Sequence, residues 1–124
     1  MQLRVLLLLS YFKNTFIFPL DQAKTALRAL VDARMRKLNV SGGEPFLNAT
    51  NIGEVFKFCK TELGLESTSV LTNSSKVTER RLDEYGHYLD IIATSCDTAD
   101  LETNLAHGRT EKGSRRILAK FWGL

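Results

Sequence analysis

Lys37-Leu38-Asn39-Val40-Ser41-Gly42-Gly43-Glu44-Pro45 reads as a short strand that runs into a glycine pair, a carboxylate and a proline. The glycines stop the strand and free the backbone for unusual dihedrals. They also leave N–H and C=O groups that no sheet ladder uses, open to close approach by a ligand. Glu44 adds a negative charge able to receive an ammonium group, and Pro45 fixes the exit direction while removing a donor. The stretch suits a ligand with a primary amine, such as an amino acid. The same residues also make an ordinary strand-to-helix turn.

Working outward, residues 21–35 carry Ala23, Ala26, Leu27, Leu30, Val31 and Met35 at helical spacing, with Arg28, Asp32 and Arg36 on the other side. Asp21, two residues after Pro19, is the expected N-cap. A second helix is expected over 51–63, with Ile52, Val55, Phe56, Cys59 and Leu63 inward and Gly64 as its stop. Asn51 and Glu54 have capping-box spacing. A second strand, Ser67–Thr72, leaves through the polar Asn73-Ser74-Ser75, and Ser75 is the expected cap of a third helix reaching about Tyr88. The third strand spans 89–95. Its apolar run Ile91-Ile92-Ala93 suits burial on both faces. Short helices are expected over 100–106 and 114–121.

Strands and helices that alternate with short connections imply βαβ units and a parallel sheet, an α/β fold of about three such units. Chemistry in such sheets gathers at the C-terminal ends of the strands. Three polar exits then share one edge: Ser41-Gly42-Gly43-Glu44-Pro45, Thr72-Asn73-Ser74-Ser75, and Ser95-Cys96-Asp97-Thr98. Asp97 suits a sugar hydroxyl, and Arg109, after a short helix, suits a carboxylate or phosphate.

Composition narrows the function classes. The 124 residues are 44% hydrophobic and 25% charged, as expected of one small globular domain rather than a disordered chain. Two cysteines exclude a disulfide framework, and a four-ligand zinc site would need His87 or His107 as well. Residues 21–106 hold 10 basic and 13 acidic side chains, a net −3, so a nucleic-acid partner is not expected. The basic excess sits at the two ends. Cys59 reads as a core residue, and Cys96 has no partnering base at the three exits. Val5-Leu-Leu-Leu-Leu9 after Arg4 is too short to span a bilayer, and Tyr11-Phe12-Lys13 gives no small-x-small cleavage site. The sequons at Asn39, Asn48 and Asn73 leave a small secreted glycoprotein as an alternative reading.

Five segments in order carry a resemblance. They are Pro19-Leu-Asp-Gln-Ala-Lys24, Leu38-Asn-Val-Ser-Gly-Gly-Glu-Pro-Phe-Leu47, Phe58-Cys-Lys-Thr-Glu-Leu63, Tyr85-Gly-His-Tyr-Leu-Asp-Ile91 and Ser95-Cys-Asp97. Together they resemble the viperin-like radical S-adenosylmethionine (SAM) enzymes, interferon-induced antiviral nucleotide dehydratases, over residues 15–109. The resemblance implies a partial (βα)6 barrel, a 4Fe-4S cluster and SAM. It also implies reductive cleavage of SAM to a hydrogen-abstracting radical, and dehydration of CTP to a chain-terminating nucleotide. By matching position, Gly42, Gly43 and Glu44 would hold the methionyl amine of SAM, flanked by Ser41 and Pro45. Thr72 and Asn73 would line the second exit, Ser95 and Asp97 would lie near the SAM ribose, and Arg109 would face the methionyl carboxylate.

Three departures accompany the match. The family holds its cluster on C-x3-C-x2-C, just before the region matching Phe16, where this chain has the apolar run instead. The family's final barrel strands and its N-terminal amphipathic anchor helix have no counterpart in these residues. Three parts follow: a divergent segment 1–15, a partial radical SAM core 16–109 and a divergent basic tail 110–124. The expectation is a cytoplasmic chain, truncated at both ends relative to the family and inactive alone. In the family, iron–sulfur assembly proteins are partners and the location is the cytosolic face of the endoplasmic reticulum and lipid droplets. A non-catalytic SAM- or nucleotide-binding remnant, or a protein-interaction remnant, is the alternative of another class.

Overall fold

A computed structural model describes residues 5–8 as a backbone strand, and residues 18–95, 98 and 100–108. Strands and helices alternate: β1 Val5–Leu8, α1 Leu20–Asp32, β2 Lys37–Ser41, α2 Ala49–Thr61, β3 Ser67–Thr72, α3 Glu79–Tyr85, β4 Ile91–Thr94 and α4 Leu101–Ala106. The strands lie in the order β1-β2-β3-β4, and every neighbouring pair is parallel. This is the α/β, parallel-sheet arrangement that the alternation implies, and it fits a partial βα barrel. Val5–Leu8, set apart from the core on sequence grounds, pairs with β2 from Val5↔Leu38 to Leu8↔Ser41. The expected helix at 114–121 lies outside the described residues.

Alternation along the strands decides which face is covered. Leu38 and Val40 of β2 and Thr68, Val70 and Thr72 of β3 are buried, whereas Lys37, Asn39 and Leu71 are exposed. Leu27 of α1 and Val55, Phe56, Phe58 and Cys59 of α2 belong to the same core as Leu38, Val40 and Val70. Phe58 also lies beneath Lys24 and Arg28, whose charged groups sit 5.0 and 4.8 Å from its ring centroid. Gly53 of α2 admits the Tyr85 ring, since a Cβ there would lie 2.4 Å from a ring carbon.

Several element ends differ from the sequence expectation. Helix α1 begins one residue before Asp21, with Pro19 as N-cap, and ends at Asp32, where Arg34 turns to φ +71°. Helix α2 begins at Ala49, because a 3-10 turn over Pro45–Asn48 feeds straight into it. The Asn51/Glu54 capping box does not form. Asn51 instead donates to the Phe18 carbonyl at 3.3 Å, and Glu54 accepts from the Tyr85 hydroxyl at 3.3 Å. Thr78, not Ser75, caps α3, accepting from Arg81 N. Burial of β4 on both faces does not occur: Ile91 is 57% and Ile92 37% exposed, because β4 is the edge of the described sheet.

The entry ends of β3 and β4 are latched together. Asp90 Oδ2 accepts from Thr68 N at 2.7 Å and pairs with Lys60 Nζ at 2.7 Å, and Asp90 N donates to Thr68 O at 2.9 Å. Lys60 also reaches the Leu65 and Glu66 carbonyls, so α2, the loop before β3 and the start of β4 share one ammonium. This lies at the strand ends opposite the polar exits, so it fixes register without entering the candidate site.

Candidate functional site

Parallel strands in register place the exits of β2, β3 and β4 side by side. Ser41 ends β2 as a buried residue, and Gly42 and Gly43 follow with φ of +99° and +54°. Only glycine takes such angles readily, so the pair turns the chain sharply and delivers Glu44 back across the sheet edge. The Glu44 side chain caps the 3-10 turn, its Oε1 accepting from Phe46 N at 3.1 Å.

The same carboxylate reaches the next strand. Thr72 Oγ1 donates to Glu44 Oε1 at 2.6 Å, and Asn73 N donates to Oε2 at 2.8 Å. From there the contacts continue to β4. Ser74 N donates to Thr72 Oγ1 at 2.9 Å, Ser74 Oγ lies 3.0 Å from Thr94 Oγ1, and Ser95 N donates to Thr72 O at 2.9 Å. Asn73 Oδ1 accepts from Ser75 N at 2.9 Å, which commits that oxygen to the turn. One hydrogen-bonded series thus runs along the rim from Glu44 to Ser95.

The structure therefore brings together Ser41, Gly42, Gly43, Glu44, Pro45, Thr72, Asn73 and Ser95. Asp97 and Arg109 lie outside the described residues. Two contributors had no role assigned from the sequence: Ser74, which belongs to the expected second exit and is buried at φ +61°, and Thr94, which lies outside the expected exits. A serine held at positive φ pays a backbone penalty that its bonds to Thr72 and Thr94 offset. Nothing in a polar Asn-Ser-Ser run marks its middle residue for this.

The electrostatics of Glu44 set what the site can take. All three donors to its carboxylate are neutral, and among the described residues no Lys, Arg or His pairs with it. A carboxylate offers about four lone-pair directions, so one remains, on Oε2. The three bonds orient the group before any ligand arrives. A primary ammonium supplies both the missing donor and the missing positive charge. With its glycine-lined approach, this rim has the chemistry to take a ligand that carries a primary amine.

An iron–sulfur cluster does not fit the described residues in the same way. Such clusters are held by cysteine thiolates. Cys59 is fully buried in the core, and burial pushes its thiol up to about 12. Cys96 lies outside the described residues. No group of three or more His, Cys, Asp or Glu among the described residues is placed to hold a metal ion. No helix among them is long and apolar enough to cross a membrane.

Comparison with known proteins places the chain in a family. A family model for the 4Fe-4S single cluster domain matches residues 9–116. The chain is 45% identical over 101 residues to S-adenosylmethionine-dependent nucleotide dehydratases of Siniperca chuatsi and of Danio rerio. Each match takes in 80% of this chain and 28% of the relative. It is 36% identical over 104 residues to an S-adenosylmethionine-dependent nucleotide dehydratase of Lacinutrix mariniflava, 84% of this chain and 21% of that protein. The chain thus spans well under half the length of these relatives.

Proposed function

The chain belongs to the 4Fe-4S single cluster domain family, in its viperin-like radical SAM branch, and on that premise we propose that its strand-exit rim is the SAM-binding half of a nucleotide dehydratase. The observation that carries this is the Glu44 carboxylate, oriented by Phe46 N, Thr72 Oγ1 and Asn73 N, with no cation against it among the described residues. Glu44 accepts the methionyl ammonium. Gly42 and Gly43 let the ligand lie against the backbone, beside Ser41 and Pro45. Thr72 holds Glu44 in place and, with Asn73, closes the second exit, while Ser95 and Asp97 receive the ribose hydroxyls. Arg109 pairs with the methionyl carboxylate. SAM supplies the hydrogen-abstracting chemistry of the family.

The reaction of the complete protein in this reading is the SAM-dependent dehydration of CTP in antiviral defence, on the cytosolic side of the membranes the family occupies. The 124 residues bind SAM without completing that reaction. Their two cysteines include one locked in the core, and the family's three-cysteine loop has no counterpart among them.

Calorimetry of the full chain with SAM tests the binding. One-to-one binding is expected, weakened at least tenfold by Glu44→Gln. Losing one charge-assisted hydrogen bond corresponds to about 1.5–3 kcal/mol. No heat of binding, or equal binding by the variant, would sink the proposal. Anaerobic reconstitution with iron and sulfide tests the second part. The expected result is less than one 4Fe-4S cluster per chain, and stoichiometric cluster absorption would contradict it.

A further inference from the structure

A cleft of about 350 Å³ opens between the 3-10 turn leading into α2 and the segment leading into α3. Phe46, Leu47, Asn48, Ala49 and Thr50 form one wall, and Lys76, Thr78, Arg80 and Arg81 the other. None of Ser41, Gly42, Gly43, Glu44, Thr72 or Asn73 lines it, so it is distinct from the rim described above.

Its charge is one-sided. Three cations line the cleft and no acidic residue does. Arg81 is partly matched by Glu84, 2.9 Å away, but among the described residues no carboxylate pairs with Lys76 or Arg80. Like charges that converge on a concave surface repel one another and focus a positive potential into it. The region around them does not explain the excess, because residues 21–106 carry a net −3, from 10 basic and 13 acidic side chains. The first turn of the 13-residue helix α2 also faces the cleft, and its N-cap Asn48 makes no side-chain capping bond. The helix dipole therefore adds to the cationic field there.

The wall from the 3-10 turn into α2 mixes apolar Phe46, Leu47 and Ala49 with polar Asn48 and Thr50. Leu47 supplies its open apolar surface, being 66% exposed, whereas Phe46 is 7% exposed and turns mainly into the core. A volume of this size matches small-molecule pockets, which are usually about 300 Å³ or more. An anion alone would leave the exposed Leu47 side chain in water.

We propose that this cleft binds an organic phosphate monoester, the phosphate held by Lys76 and Arg80 and the organic group laid against Leu47. Arginine's planar fork matches phosphate oxygens bidentately, and lysine adds a compact second charge. The proposal is independent of SAM binding at Glu44.

Amide NMR titration of the full chain with phenyl phosphate, and separately with inorganic phosphate, tests it. Saturable shifts are expected at Thr50, Lys76 and Thr78, with phenyl phosphate at least fivefold tighter than inorganic phosphate. Binding should weaken when salt is raised, because the cations are exposed. The Lys76→Ala/Arg80→Ala double variant should lose at least tenfold in affinity while its remaining amide spectrum stays unchanged. Leu47→Ser should weaken phenyl phosphate alone. Absence of saturation, equal affinity for the two phosphates, or undiminished binding by the double variant would each overturn the proposal.

Discussion

At the scale of single residues, Thr72 has the most demanding position. Its hydroxyl donates to Glu44 and accepts from Ser74 N, so one oxygen links two strand exits. Thr72→Val keeps the shape and removes both bonds. Leaving buried polar groups unmatched costs about 1–3 kcal/mol. Urea unfolding should show a loss of that order, and calorimetry should show weaker SAM binding without any change at Glu44 itself. Cys59 gives a separate expectation. With its thiol pushed up to about 12 by burial, it should resist thiol reagents in the native state of a Cys96→Ser variant and react only on unfolding. Rapid native labelling would contradict its place in the core. Glu44 was legible in the sequence because Gly-Gly-Glu-Pro is a local signal. The Ser74–Thr94 contact was not, because a 20-residue separation in sequence is closed only by the β3–β4 register.

At the scale of elements, Asp90 shows how β4 is held. The Lys60 ammonium first, and then the Thr68 backbone N–H, hold its carboxyl below the usual carboxylate range. A carboxyl whose pKa is lower in the folded chain stabilises the fold above its unfolded value, about 3.9 for Asp. That stabilisation is lost as pH falls through the folded value. Asp90→Asn should therefore cost roughly 0.5–1 kcal/mol at pH 7, modest because the pair is partly exposed to solvent. The gap from the parent chain should narrow as pH falls below about 4, measured by urea midpoints at several pH values. A constant gap would remove the ionic account. Gly53→Ala should also destabilise, by about 1–3 kcal/mol, since the added methyl meets the Tyr85 ring. Helix existence was readable from apolar spacing, yet helix starts shifted by up to three residues, as from Ser75 to Thr78 at the cap of α3. The side chains that looked like caps had better partners far along the chain, as with Asn51 and Phe18.

At the scale of the whole molecule, the open side of the sheet is its weak point. Leu71, Ile91 and Ile92 are exposed on or beside the described edge strand, and apolar edges of this kind pair with other chains. Sedimentation should show concentration-dependent self-association. Ile91→Lys should reduce it while changing stability by only about 0.5 kcal/mol. A monomer at every concentration would contradict this. Parallel topology was legible from alternation alone. The exposure of β4 was not, because a run such as Ile91-Ile92-Ala93 reports what a strand prefers to touch and not what lies beside it.

Strands laid down in sequence order have a kinetic meaning as well. Each strand pairs with the one made just before it, across a crossover that separates partners such as Val5 and Leu38, Lys37 and Ser67, or Ser69 and Ile91, so every pairing waits on one loop closure of moderate length and none spans two crossovers. During synthesis the rim is completed in the order in which its residues emerge: Glu44 first, its clasp Thr72 next, and Thr94 last. The Glu44 carboxylate thus emerges first and is oriented only when Thr72 and Asn73 follow, before β4 closes the series at Thr94.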